Sequence, residues 1–76
     1  MNINEIRKGV IYKAVNLPEK CDVFAYIHKC NKKEVAFSVL DEAVENPDFS
    51  NCGMFWVRPQ EFTLLFEVYQ KKQYEN

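Results

Sequence analysis

The stretch DVFAYIHKC-NKK-EVAFSVL, Asp22 to Leu40, constrains this chain more than any other part of it. In its first arm Val23, Ala25 and Ile27 alternate with Phe24, Tyr26 and His28. In its second, Val35, Phe37 and Val39 alternate with Ala36, Ser38 and Leu40. Apolar side chains at a period of two suit a strand, whose successive side chains point to opposite faces. The polar Asn31-Lys32-Lys33 leaves room only for a tight connection, so the arms read as a β-hairpin. Both faces of the first arm carry apolar groups, which predicts a strand covered on two sides.

The rest of the chain supplies partners for that hairpin. MNINEIRKG reads as a polar leader over residues 1–8 with room for one helical turn, closed by Gly9. Val10 to Asn16 is rich in β-formers and ends in NLPEK, where Pro18 stops a ladder. Asp41 to Gly53 reads as an irregular loop, with Asn46-Pro47 ending any helical turn begun by DEAVEN. Met54 to Arg58 reads as a strand stopped by Pro59, and PQEF as a short helical turn with proline in first place. Thr63 to Lys71 fits both a strand and a helical stripe; its β-branched and aromatic content favours a strand from about Leu65. The tail, 72–76, is expected to fray. The expected fold is mainly β: one domain over 1–76, a small five-stranded SH3-like or alternatively OB-like barrel with a helical turn near 59–63.

Size and charge narrow the possible functions. At 76 residues, 47% hydrophobic and 14% aromatic, the chain has material for one compact core. Ten Lys and Arg against eleven Asp and Glu give a net charge of -1, without the basic excess of a domain that lives on phosphate contacts. Charge is unevenly placed: Asp41, Glu42, Glu45 and Asp48 stand together, and Lys29, Lys32 and Lys33 gather at the hairpin turn. Three cysteines, Cys21, Cys30 and Cys52, leave at least one unpaired, and no apolar leader or membrane-length run is present. These features predict a cytoplasmic protein with free thiols. Residue usage suggests an A+T-rich genome, that of a bacterium or one of its viruses.

Sites for chemistry are scarce. Cys21, His28, Cys30 and Cys52 lack the paired-knuckle spacing that folds two sulfurs onto one zinc ion, so no metal and no cofactor are expected. His28 and Cys30 are neighbours on a strand face, side by side rather than converging in a cleft. Two glycines, Gly9 and Gly53, cannot easily build a phosphate cradle, and the chain is not expected to be an enzyme. Aromatic residues carry the stronger signal. Tyr12, Phe24, Tyr26, Phe37, Phe55 and Trp56 all fall on expected strands, as core or as stacking platform. On Met54–Arg58, alternation puts Phe55 and Val57 inward, and Trp56 with Arg58 toward a groove. Tryptophan and arginine are the residues most enriched at interface hot spots. Trp56, Arg58, Tyr12, Tyr26 and Glu61 are therefore the candidate binding residues, with Arg58 equally able to bridge Glu61 or the Asp41–Asp48 loop within the chain.

The segments GVIY and FWVRP resemble the ends of a family of small bacterial and phage domains of uncharacterised function. That family opens with Gly-x-x-Tyr and closes with Trp-x-Arg-Pro followed by a phenylalanine. Gly9, Tyr12, Trp56, Arg58 and Pro59 match, while Phe62 arrives one residue early. The resemblance implies a compact β fold and carries no activity. The expectation is a non-catalytic domain, a bacterial or phage accessory protein that binds and modulates a host protein. Nucleic-acid or nucleotide binding through strand aromatics with Lys29, Lys32 and Lys33, and self-assembly as a homodimer or structural component, are the alternatives.

Overall fold

The computed structural model describes residues 1–15, 22–44, 47–50 and 53–69. Five strands, β1 (Ile11–Ala14), β2 (Phe24–Cys30), β3 (Val35–Leu40), β4 (Met54–Val57) and β5 (Phe66–Val68), form one sheet in the order β4-β3-β2-β1-β5. All its ladders are antiparallel. The mainly-β expectation holds. A 3₁₀ turn, Ile3–Glu5, precedes the sheet, and one helix, α1 (Pro59–Leu65), joins its two edge strands. No ladder links β4 to β5 among the described residues, so hydrogen bonds do not close the expected barrel. No helix there is long and apolar enough to cross a membrane.

The sheet is nonetheless strongly curled. β3 and β5 stand three places apart, about 14 Å on a flat sheet. Their Phe37 and Phe66 rings meet at 5.3 Å, although side chains stand roughly perpendicular to a sheet. Curling brings them together around Phe62 of α1, which is fully buried. Phe62 stacks on Phe66 at 4.7 Å and meets Tyr12 and Phe37 edge-on, each at 5.4 Å. Ala25, Ile27, Val35 and Ile6 complete this core.

Residues 1–8, read as a leader with room for one helical turn, do form that turn, and their Ile6 packs into the core. Asn2 and Glu5 cap the 3₁₀ turn reciprocally: the Asn2 side chain accepts from Asn4 N–H at 3.3 Å, and Glu5 Oε1 accepts the Asn2 N–H at 2.7 Å. Tyr12 then anchors the segment from below. Its hydroxyl accepts the Arg7 N–H at 2.8 Å and donates to the Glu5 carbonyl, setting Ile6 over the core. Gly9 follows at φ 82, a left-handed turn that glycine adopts without a Cβ penalty, and its N–H reaches the Ile27 carbonyl at 2.8 Å.

Register sorts the strands into two faces. Tyr12–Ala25, Ile27–Phe37–Phe55 and Cys30–Val35–Val57 lie on the core face. Ile11–Tyr26–Ser38–Met54, Phe24–Leu40 and Lys29–Ala36–Trp56 lie on the outer face. A bulge between Ile27 and Lys29 inserts His28, so that both His28 and Lys29 stay outside while Cys30 returns inward. The outer face has its own cover. Phe49, from the loop after β3, packs on Tyr26 at 4.8 Å and His28 at 4.7 Å, and Tyr69 packs on Phe24 at 5.1 Å. The apolar character of both faces of β2 thus has its explanation. Residues 41–44 form no helical turn. The turn at Pro18, Cys21, Cys52 and the expected frayed tail lie outside the described residues.

Candidate functional site

β4 is an edge strand made entirely of apolar residues. It pairs with β3 on one side, Phe55 opposite Phe37 and Trp56 opposite Ala36, and its other side faces no described strand. Met54, Phe55 and Trp56 remain 49%, 51% and 53% exposed. Edge strands are ordinarily blunted by charge, proline or a bulge, because their free N–H and C=O groups template pairing with another chain. None of these devices falls within Met54–Val57; Arg58 and Pro59 come only after it. As alternation predicts, Phe55 and Val57 share the core face and Trp56 the outer one. Yet Phe55 sits at the rim, 5.8 Å from Phe37, and leaves half its surface in water.

The strand ends where α1 begins. Arg58 is extended, at φ -74 and ψ 150, and its backbone N–H donates to Glu61 Oε1 at 3.1 Å. Pro59 takes the first helical position and is buried against the core. Glu61 therefore serves the backbone of Arg58 rather than its guanidinium. Arg58 itself is exposed, and its side chain forms no ion pair among the described residues.

Trp56, Arg58 and Glu61 thus stand together at the C-terminal end of β4. Tyr26 lies elsewhere on the outer face, half-buried under Phe49 and two strands inward from Met54. Tyr12 is not a surface residue: at 1% exposure its ring is core and both its hydrogen bonds are internal, so it leaves the candidate site. Burial raises its hydroxyl pKa above the ordinary 10.0. Of the three lysines, Lys29 extends the Trp56 row across Ala36, and Lys32 and Lys33 sit exposed on the turn beyond it.

Two features escaped the sequence reading. The side chains of His28 and Ser38 come together, Nε2 to Oγ at 2.7 Å, a serine–imidazole pair. Ser38 is only 2% exposed, and among the described residues the His28 ring is flanked by Tyr26 and Phe49 and by no carboxylate that would orient it. The pair satisfies a buried hydroxyl and gives a substrate no approach to it. The second feature is a groove of about 510 Å³ at the opposite end of β4 from Arg58. Asp22, Asp41, Glu42 and Asp48 line it over a floor including Val23, Val39 and Leu40, and among the described residues no cation lines it. No set of three or more His, Cys, Asp or Glu among the described residues is arranged to hold a metal ion. Cys30 is a half-buried free thiol pointing at the Ile6 carbonyl, 3.7 Å away. Comparison with known protein families, curated proteins and solved structures found no match.

Proposed function

We propose that this chain is a non-catalytic protein-binding domain whose docking surface is the β4 edge, with Trp56 and Arg58 as its principal contacts. One observation carries the reading: three consecutive apolar side chains, each about half exposed, on a strand whose other side faces no described strand. A fold this small has few large side chains, and three of them are not needed to close its core. Strand addition at such an edge takes affinity from backbone hydrogen bonds and specificity from alternate side chains. The guanidinium of Arg58, unpaired among the described residues, would select an acidic group at one end of the docked segment. The setting this reading favours is the cytoplasm of a bacterium, with the chain an accessory protein of the cell or of a phage acting on a host protein.

The test is capture of partners from a bacterial lysate by the full chain, beside Trp56→Ala and Arg58→Ala. Loss of capture with unchanged circular dichroism supports the reading. Capture indifferent to both substitutions removes it.

The row Lys29–Ala36–Trp56, with Lys32, Lys33 and Arg58 nearby, supports nucleic-acid binding as a second reading. Titration with single-stranded oligonucleotides at several salt concentrations separates the two, because phosphate contacts impose a steep salt dependence.

A further inference from the structure

We infer that the strand which docks on β4 is β4 of a second copy of this chain, paired antiparallel about a two-fold axis through Phe55. The inference rests on the docking edge proposed above and names its occupant.

Charge is what selects a copy of the same chain. Among the described residues, β4 lies between two ends of opposite sign. Beyond Met54 stand Asp41 and Glu42, which share the acidic groove with Asp22 and Asp48. Beyond Val57 stand Arg58 and the turn bearing Lys32 and Lys33, with Lys29 one row back and Glu34 and Glu61 only partly offsetting them. Antiparallel pairing places the Met54 end of one copy beside the Val57 end of the other. Each acidic end thereby meets a basic end, twice over. Parallel pairing would place like beside like. Asp41 and Arg58 of the second copy would lie about 10 Å apart, two strand spacings, which is near the screening length at moderate salt.

Register is set by the side chains. Strands related by a two-fold axis perpendicular to the sheet oppose residues of the same face, so the axis passes through a residue rather than between two. Centred on Trp56, the pairing sets Met54 against Arg58 of the second copy. Centred on Phe55, it sets Phe55 against itself and Met54 against Trp56 of the second copy, a sulfur–aromatic contact. Only the second arrangement covers every half-exposed apolar side chain with another.

Area predicts the strength. A half-exposed ring leaves about 100 Å² to bury. Three such side chains on each copy give roughly 600 Å², about half the minimum for a standard stable interface. The dimer is therefore weak, with a dissociation constant of roughly 10 μM to 1 mM.

Trp56 is the sole tryptophan and reports on its own edge. Sedimentation of the full chain across that concentration range should show the mass rise from one chain to two and stop. Trp56 emission should shift to shorter wavelength along the same curve. Raising salt from ~0.05 to ~0.5 M should weaken association roughly three- to tenfold. Phe55→Glu, which sets a carboxylate against its own copy, should hold the chain monomeric. Met54→Lys, on the outer face and half exposed, does the same if Phe55→Glu disturbs the fold. Arg58→Glu should weaken pairing, and Asp41→Lys combined with it should restore pairing. A single-chain mass throughout, a dimer indifferent to Phe55 and Met54, or growth beyond two chains would each overturn the inference. A monomer that still captures another protein through Trp56 leaves the docking edge standing; a monomer that captures nothing removes both.

Discussion

Phe62 and Trp56 are six positions apart in sequence and meet opposite fates. The first is fully buried, packed by Tyr12, Phe37 and Phe66; the second is 53% exposed with no ring of the described residues against it. Both are large rings in aromatic-rich surroundings. What separates them is position in the sheet order. The region under α1 sits over the concave middle, where β1, β2, β3 and β5 all contribute side chains. β4 is an end strand, and an end strand has one neighbour to share its rings with. Aromatic content alone therefore measures the material for a core, not its location.

That contrast can be broken most severely at its buried pole. Phe62→Ala removes the ring that the curled sheet closes upon and should lower unfolding free energy by about 3–5 kcal/mol in urea titration. In a domain of this size such a loss approaches the whole stability. Next in size is Tyr12→Phe, which keeps the ring and deletes both hydroxyl bonds, for an expected loss of about 1–2 kcal/mol. It also has a signature in pH. Because burial raises the folded-state pKa of Tyr12, its contribution is whole below pH 10.0 and is lost as pH climbs through the higher folded value. Tyr12→Phe should flatten that alkaline decline; an unchanged decline would assign it to other groups. Gly9→Ala comes third. Its Cβ would meet the Tyr26 hydroxyl at 3.9 Å, an ordinary contact, so the roughly 1 kcal/mol expected is the cost of a positive φ alone. At the exposed pole, Trp56→Ser should change stability by less than about 0.5 kcal/mol in dilute solution. A larger loss would show that Trp56 belongs with Phe62 after all.

The strands were readable because their alternation is strong and their ends are marked. Asn31 to Lys33 makes the turn between β2 and β3, and Pro59 stops β4 and opens α1. The boundary between α1 and β5 was ambiguous for a physical reason: Phe62 and Phe66 are one helical turn apart and both buried, yet Phe66 already belongs to a strand. Alternation also assigned Phe55 and Trp56 to opposite faces. It could not show that the core face runs out at Phe55, since that depends on which strands pair and which remain at an end. Tyr12 misled in the same way, because a strand tyrosine reads alike whether its hydroxyl meets water or the backbone of residues five and seven before it. Ile6 and Phe49 left no pattern at all. Each is one apolar residue in a polar stretch, and only the path of the folded chain brings it onto a face of the sheet.

The extra residue in β2 bears on what length changes this chain tolerates. Because His28 is the insertion, a sequence one residue shorter there would regain plain alternation from Ile27 to Cys30 with Lys29 still in water. Such a deletion would spare the ladder and instead strand the Ser38 hydroxyl, now held by the imidazole, in a dry place. Natural variants lacking that position should therefore carry alanine or another small apolar residue where this chain has serine.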